Sequence, residues 1–311
     1  MTQPSFDMRV TLLGTGSPIP QIDRFGPATL VEAGGKRLLF DAGRGVVLRL
    51  WQLGFQIGSV DTVFLTHFHS DHTVGLPDLW LTGALGGGFG GRITPFHLIG
   101  PVGTQRLMAG LEAAYADDLN IRIAEGKANG NIKPVTGFAT HVEEYPACGV
   151  VYTRDGITVN AFEVDHGPEI KPAVGYRIDY AGRTVVLSGD TRKHPNVIAA
   201  ARGADLLVHE VASARPGLLQ IPIMKLIVNH HTTPAEAGAV FAETRPRLAV
   251  FTHLVLLANA SIPAPTLDDV VAETRSAYAG PLEVGEDLMS IKIGTDIVVR
   301  RHGDTTATRY A

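Results

Sequence analysis

A layered α/β fold is the fold class that the sequence predicts, and three observations predict it. Short runs rich in β-branched and apolar residues recur along the chain, with segments of helical apolar spacing between them. Several of these runs end in polar residues, a placement typical of strands whose ends supply functional groups. Apolar residues make up 45% of the 311 residues, enough for a sizeable core in one large domain or two smaller ones.

The bulk charge gives no support for binding a polyanion. The formal net charge is −4 and the isoelectric point is near 6.3, so we expect nucleic acid to be an improbable partner unless a local basic patch exists. The single cysteine, Cys148, excludes an intramolecular disulfide framework. The first 20 residues lack the pattern of a signal peptide, and no stretch approaches the roughly 18 apolar residues of a membrane span. These features predict a cytoplasmic protein with no membrane partner.

The first half of the chain opens with strands. Residues 9–13 predict a strand that ends in a glycine-rich turn, and residues 28–33 and 36–40 predict two strands joined at Gly34 and Gly35. Asp41 follows the third strand, and residues 46–53 predict a helix.

Two helices and another strand are expected further along. Residues 76–82 and 104–115 have helical spacing, and residues 95–100 predict a strand between them. Periodicity is weak over residues 117–155, which we interpret as a possible family-specific insertion.

A histidine-rich stretch follows the apolar run at residues 62–65. His67, His69, Asp71 and His72 place four potential metal ligands within six residues. Imidazole nitrogens and a carboxylate oxygen suit Zn²⁺, with Mn²⁺ and Fe as competitors. Because no thiol lies nearby, a closed structural zinc site is disfavoured, and we expect a catalytic metal site.

Three further candidate ligands each come at the end of an apolar run. His166 follows residues 157–164, Asp190 follows residues 183–187, and His253 follows residues 248–251. Since strand ends gather at one edge of a layered α/β fold, these side chains are expected to join the histidine-rich stretch. Asp165 is a rival to His166, but its side chain is expected to point to the opposite face of the strand.

The pattern His-x-His-x-Asp-His after a buried strand resembles the signature of the metallo-β-lactamase superfamily, and the resemblance runs from residue 11 to about residue 293. It implies an αββα four-layer sandwich, one hydrolase domain over residues 1–311, and two metal ions in a cleft at one edge of the sheets. It also implies that Asp41 orients groups of the metal site; a cap of the helix at 46–53 is the other role open to it. The implied ligands are His67, His69 and His166 for one Zn²⁺, Asp71, His72 and His253 for the other, and Asp190 as the bridge.

Two more segments resemble the tRNase Z branch of that superfamily. A buried run ends in His209 and Glu210, and His231 precedes two threonines at the start of a predicted helix, with Thr233 as its cap and Pro234 in its first turn. The resemblance implies that His231 protonates the leaving oxygen and that Glu210 holds His231. A carboxylate partner orients an imidazole and raises its pKa, which suits this task. His230 is the alternative proton donor, and the residues expected to act in catalysis are Asp71, His231 and Glu210.

The substrate is predicted from what the chain lacks. Members of the tRNase Z branch carry a long Gly/Pro-rich arm before the bridging Asp, whereas here residues 175–178 reach Asp190 in about a dozen residues. Apolar residues 218–224 and 254–257 flank the expected site. They suggest an apolar substrate pocket that suits a small ester, or else a homodimer interface or core.

We therefore expect a dinuclear zinc hydrolase that resembles phosphodiesterases and arylsulfatases. It would direct a metal-bridging hydroxide at a small-molecule phosphodiester or sulfate ester, with His231 as the general acid. A tRNase Z-type tRNA 3′ endonuclease is the first alternative, and a lactonase or carboxylesterase is the second. A third is a flavoprotein-like redox protein of the same fold, although no flavin domain fits after residue 293.

Overall fold

The computed structural model describes residues 7–128 and 135–311. Within them the strands form one nine-stranded and one seven-stranded sheet. In chain order the strands are β1 (Met8–Gly14), β2 (Ala28–Ala33), β3 (Lys36–Phe40), β4 (Thr62–Phe64), β5 (Phe96–Pro101), β6 (Thr140–Tyr145), β7 (Gly149–Arg154), β8 (Ile157–Glu163), β9 (Val174–Tyr180), β10 (Arg183–Leu187), β11 (Leu206–Ala214), β12 (Leu248–Leu257), β13 (Leu282–Val284), β14 (Ser290–Ile293), β15 (Ile297–Arg300) and β16 (Thr308–Tyr310).

Helices cover the outer faces of both sheets. They are α1 (Val46–Gln52), α2 (Ser70–Thr73), α3 (Leu76–Ala84), α4 (Thr104–Ala114), α5 (Ala116–Ala128), α6 (Pro195–Ala201), α7 (Pro222–Asn229), α8 (Pro234–Thr244) and α9 (Leu267–Arg275). Buried side chains of α1, α3 and α4 pack on the first sheet, and those of α6, α8 and α9 pack on the second. A third apolar core lies between the two sheets. These layers confirm the predicted αββα sandwich.

The centre of each sheet is parallel. The first sheet has the order β16-β15-β14-β1-β2-β3-β4-β5-β6, and β3 to β6 run parallel. The second has the order β13-β12-β11-β10-β9-β8-β7, and β10 to β13 run parallel. Strands covered on both faces need near-continuous apolar runs, and β4 and β11 are buried along almost their whole length. The carboxyl ends of these parallel strands form one edge of the sandwich.

Local sequence signals explain several boundaries. Gly34 and Gly35 both have positive φ, as a two-residue hairpin turn between β2 and β3 requires. Thr233 and Glu236 form a capping box at the start of α8, with Pro234 in the first turn, so the predicted cap of this helix is confirmed. Helix α1 begins after Gly45 without a side-chain cap, which leaves the Asp41 carboxylate for another use.

Residues 117–155, the possible family-specific insertion, supply two edge strands. That these residues are an insertion stays a prediction. Residues 129–134 lie outside the described residues, as do the first six residues of the N-terminal stretch. Strand β6 ends the first sheet and β7 ends the second. The strand-like alternation of residues 281–284, 288–293 and 296–300 predicts that the tail closes the second sheet. Only β13 joins that sheet, because β14 pairs with β1 instead. Among the described helices, none has the length and apolarity needed to cross a bilayer.

Candidate metal centre and active site

The histidine-rich stretch leaves the carboxyl end of β4 and turns at once into α2. His67 precedes this short helix, His69 is its N-terminal cap residue, and Asp71 and His72 lie within it. His67, Asp71 and His72 are buried, whereas His69 is exposed at the mouth of the site. One turn of helix therefore directs four potential ligands to the same edge of the sheet.

The second sheet contributes the other three expected ligands. His166 follows β8, Asp190 follows β10, and His253 lies in β12. The Oδ2 atom of Asp190 lies 3.3 Å from Nε2 of His72 and of His253, 3.5 Å from Nε2 of His166 and 3.9 Å from Nε2 of His67. The fold thus brings together all seven expected ligands in two groups, His67, His69, His166 and Asp190 in one, and Asp71, His72 and His253 in the other.

A bulge aims His253 at this cluster. The sequence suggested that its strand ends before His253, but β12 continues to Leu257. The register against β11 shifts between Glu210 and Val211, so His253 is the additional residue, and its φ is +44°. A bulge redirects one side chain without ending the strand, and a positive φ outside glycine is a conformation often found at functional sites.

Asp41 braces the metal-ligand loop. Its Oδ1 accepts the backbone N–H of Thr66 at 2.8 Å, and its Oδ2 accepts the Thr66 hydroxyl at 2.8 Å and the Nδ1–H of His72 at 2.7 Å. A carboxylate bound to Nδ1 fixes the imidazole tautomer and leaves the Nε2 lone pair for a ligand. Thr66 was not singled out from the sequence; its position directly before His67 was the only available signal.

His166 is oriented by a main-chain carbonyl. Its Nδ1–H donates to the His230 carbonyl oxygen at 2.8 Å, so its Nε2 lone pair faces the ligand cluster. Asp165 turns away, accepts the backbone N–H of Gly167 and lies 3.2 Å from Arg192. The sequence-based choice between these two neighbours matches the positions of their side chains.

These donors fit a cation. The lone pair of His72 Nε2 faces the carboxylates of Asp71 at 3.5 Å and Asp190 at 3.3 Å, and this buried nitrogen has no hydrogen-bond partner among the described residues. A lone pair and two anionic oxygens repel one another unless a positive charge lies between them. The neutral nitrogens and carboxylate oxygens are of the kind that Zn²⁺ binds.

Most of the protonation states favoured by the protein also suit metal binding. His72 is the exception, because burial is outweighed by the carboxylates of Asp190 and Asp41, which hold its pKa well above its ordinary value, so a metal ion would have to displace that proton. Burial and the neighbouring His72 hold the pKa of His67 well below its ordinary value, and burial lowers the pKa of His166 to about 4. Burial opposes ionisation of Asp190, but the adjacent His253 and His72 hold its pKa well below its usual range. Neutral imidazoles and ionised carboxylates are the forms that coordinate metals.

His231 and Glu210 form a buried pair beside the ligands. Nδ1 of His231 lies 3.2 Å from Oε1 of Glu210, and the imidazole rings of His231 and His166 are 4.8 Å apart. The same Oε1 accepts the backbone N–H groups of Thr191 at 3.0 Å and Thr232 at 3.1 Å. With Nδ1 turned to the carboxylate, Nε2 of His231 is left for a substrate. The sequence did not predict these contacts, although Thr191 directly follows Asp190 and Thr232 directly follows His231.

The pair keeps a proton on His231. Burial works against the charged imidazole, but the Glu210 carboxylate outweighs it and raises the pKa of His231 to about 9. Positive ions held by the neighbouring ligands would act in the opposite direction and bring this pKa back toward neutrality. His230, the alternative donor, is only partly buried and its ring lies against Gly167.

The two apolar segments near the site differ in burial: residues 254–257 lie mainly in the core, whereas residues 219–224 are partly buried or exposed. Leu254 packs in the core of the second sheet, and Val255, Leu257 and Leu218 form a smaller buried cluster with Val228. For residues 254–257 the core is therefore the correct one of the alternatives left open by the sequence, whereas an apolar pocket or a homodimer interface at residues 219–224 stays a prediction.

Comparisons with known proteins agree with this geometry. The Beta-lactamase superfamily domain matches residues 36–254. Ribonuclease Z from Mycobacterium avium is 36% identical over 288 residues, which are 92% of this chain and 98% of that protein. The metallo-β-lactamase fold protein YhfI from Bacillus subtilis superimposes with a TM-score of 0.68 at 18% identity, covering 91% of this chain and 98% of YhfI. The short form of human tRNase Z has a TM-score of 0.64 at 22% identity, covering 92% and 99%.

These relatives correct one expectation from the sequence. A small-molecule ester was expected as the substrate and nucleic acid as an improbable partner, whereas the full-length relatives are named ribonucleases. The expectation is wrong because the small ester was inferred from the missing arm and two apolar segments, and the exclusion of nucleic acid from the net charge of the whole chain. An RNA phosphate responds to the cations within about one Debye length, not to a sum over a whole surface.

Proposed function

The chain belongs to the β-lactamase superfamily, and on that basis we propose that it is a metal-dependent endonuclease that cleaves precursor tRNA at its 3′ side. Its likeness to ribonucleases named Ribonuclease Z covers nearly their full length, so the shared part includes every strand end that carries a site residue. The tRNA substrate would place its action in the cytoplasm.

The proposed metal ligands are the seven side chains gathered at the sheet edge. We assign zinc as the ion, two per chain, because the donors are imidazole nitrogens and carboxylate oxygens with no thiol. Bound there, two divalent ions would activate a water molecule and neutralise charge on the phosphoryl oxygens. Asp71 holds its place in this set through its Oδ2, 3.3 Å from His253 Nε2.

His231 supplies the proton that the leaving group needs. An alkoxide is a poor leaving group, so a positioned acid accelerates its departure by about 10²- to 10⁴-fold. Glu210 keeps the ring oriented and its Nε2 protonated, and the N–H groups of Thr191 and Thr232 hold Glu210 in turn. The observation that carries the proposal is the His231–Glu210 pair, which lies beside a buried set of candidate metal ligands.

The test is cleavage of a precursor tRNA with a short 3′ extension by the zinc-loaded protein. We expect one cut at the 3′ side, and His231→Ala should lower kcat by about 10²- to 10⁴-fold while the metal content stays at the wild-type level. The matched control His302→Ala removes an exposed histidine and should not change kcat. His230→Ala tests the alternative proton donor and should lower kcat much less than His231→Ala does.

Two results would contradict this proposal. One is a zinc-loaded wild-type protein that leaves the precursor intact. The other is a His231→Ala variant that cleaves as fast as the wild type, because the acid would then lie elsewhere.

A further inference from the structure

A cleft of about 690 Å³ opens beside the metal-ligand loop. Its lining includes Phe68, which stands between His67 and His69, Arg106 of α4, Tyr145 at the end of β6 and Lys171 in the loop after His166. Two segments that carry proposed metal ligands thus also line this cleft, so it lies next to the site.

The cleft presents positive charge that the protein itself leaves unpaired. Arg106 and Lys171 are exposed, and neither forms an ion pair or hydrogen bond with the part of the chain that the structure describes. The one carboxylate in the lining, Glu144, accepts the backbone N–H groups of Gly103 at 2.8 Å and Gln105 at 2.7 Å, so it is engaged at the start of α4. Two free cations beside the aromatic rings of Phe68 and Tyr145 suit a ligand with phosphates and bases.

The strand order places Asp190, the proposed bridging ligand, between this cleft and Glu210, the partner of the proton donor. In the second sheet, Cys148 at the cleft directly precedes the edge strand β7, whereas Glu210 lies in β11, near the other edge. Asp190, which follows β10, comes between them. Along the second sheet, Glu210 and the cleft therefore lie to either side of Asp190, and His231 lies over the ligands between His166 and His253, at 4.8 and 5.6 Å between ring centroids.

Resting on the proposed function, we propose that this cleft binds the single-stranded nucleotides on the 3′ side of the scissile phosphate. Cleavage that leaves a 3′-hydroxyl on the tRNA breaks the bond from phosphorus to the 3′-oxygen and forms one from phosphorus to the oxygen of water. The His231 proton goes to the departing 3′-oxygen. The tRNA end therefore lies at His231, and the phosphate stays on the downstream nucleotides, which leave toward Arg106 and Lys171.

The dimensions and the connectivity limit what the cleft holds. Ligand pockets of about 300–1,000 Å³ hold molecules of drug size, so this one has room for about two nucleotides. Strands β9 and β10 are joined by the tight turn at Ala181 and Gly182, so no long arm protrudes between them to grip RNA. Binding of the downstream nucleotides in the cleft supplies affinity for the RNA that the short turn between β9 and β10 does not supply.

The first test varies the length of the 3′ extension. For the wild type, lengthening the extension from one to three nucleotides should lower KM about tenfold, with no further gain at six. The variant Arg106→Ala/Lys171→Ala should show one KM for all three lengths and an unchanged turnover of bis(p-nitrophenyl) phosphate. Arg202→Ala/Arg309→Ala removes the same charge from exposed sites elsewhere and should behave as the wild type.

The second test measures binding without turnover. Cys148 is the sole cysteine of the chain and is exposed at the rim of the cleft, so alkylation by N-ethylmaleimide reports on its occupancy. A 5′-phosphorylated trinucleotide should slow alkylation several-fold in the wild type and not in Arg106→Ala/Lys171→Ala.

The outcomes separate the two proposals. A wild type that cleaves no precursor contradicts the proposed function. A wild type that cleaves the precursor, with the same dependence on extension length in Arg106→Ala/Lys171→Ala, overturns the assignment of the cleft. Unchanged Cys148 alkylation in the presence of the trinucleotide overturns it as well.

Discussion

Two clusters of histidines and carboxylates lie at opposite edges of the first sheet, and only one is suited to a metal. The ligand cluster around Asp190 lies at the carboxyl ends of the parallel strands. The second cluster, His97, His141 and Glu143, lies near the amino ends of β5 and β6, where His97 pairs in register with His141. Both bring imidazole nitrogens and carboxylate oxygens within 4.8 Å of one another.

The difference lies in what each nitrogen faces. His97 has Thr62 Oγ1 at 3.0 Å from Nδ1 and Glu143 Oε1 at 2.7 Å from Nε2, and His141 Nε2 lies 3.1 Å from the same oxygen. Arg154 contributes a positive charge 3.1 Å from Glu143, so this cluster is neutralised by the protein. In the Asp190 cluster, by contrast, the carboxylates of Asp71 and Asp190 face histidine nitrogens, and no Lys or Arg of the described residues pairs with them. Proximity of histidines and carboxylates is therefore a weaker criterion for a metal site than the absence of a Lys or Arg that neutralises the carboxylates.

The largest expected effect is that of removing the shared carboxylate. Asp190→Ala deletes the oxygen that lies within 3.9 Å of four histidine nitrogens, so we expect loss of bound metal and a fall in precursor cleavage of more than about 100-fold. Elemental analysis and kcat measure the two effects. Asp165→Ala is the matched control, because this carboxylate points away from the ligands. Full metal content in Asp190→Ala would contradict the conclusion that the Asp190 cluster is the one suited to a metal.

A smaller effect is expected from the brace behind the ligands. Asp41→Asn keeps the shape but weakens the bond that fixes His72, so metal affinity should fall about 10- to 100-fold. Competition with a chelator measures the affinity. Asp61→Asn, an exposed carboxylate on the same sheet, is the control and should retain wild-type affinity. Equal affinities in both variants would show that Asp41 serves only the fold of the loop.

The pH dependence of cleavage tests the pair at Glu210. The proposed mechanism requires the proton on His231, so kcat should fall as the pH rises through the pKa of His231. Glu210 raises that pKa, and Glu210→Gln should therefore move the fall to lower pH. Profiles of kcat against pH for both proteins measure the displacement, with Glu243→Gln as the surface control. An unchanged midpoint of the pH profile in Glu210→Gln would show that Glu210 does not raise the pKa of His231.

The smallest effect is expected at the second cluster. His141→Ala removes an exposed member whose contacts are ion pairs near the surface, so the free energy of unfolding should change by less than about 1 kcal/mol and the metal content should not change. Denaturant unfolding and elemental analysis measure both. Loss of a metal equivalent in this variant would make the second cluster a metal site too.

Much of the proposed ligand set could be predicted from the sequence because its signals are local. His67, His69, Asp71 and His72 lie within one short segment, and His166 and Asp190 each follow an apolar run that forms a buried strand. Strand ends of parallel sheets meet at one edge, so these positions imply a common site. His231 and Glu210 were identified through their motifs, and the fold places them side by side.

Other features depend on contacts that no local pattern records. The bulge that aims His253 arises from the register of β12 against β11. The hydrogen bond between Asp41 and Thr66 joins residues that are 25 positions apart in the chain. Arg106 and Lys171 are 65 positions apart, and only the packing of α4 beside the loop after His166 places both in one cleft. The net charge of −4 misled the choice of substrate for the same reason. The sequence by itself determined which groups stand at the strand ends, whereas the tertiary structure decided which charges share a surface, because electrostatic attraction depends on distance in space and not on separation along the chain.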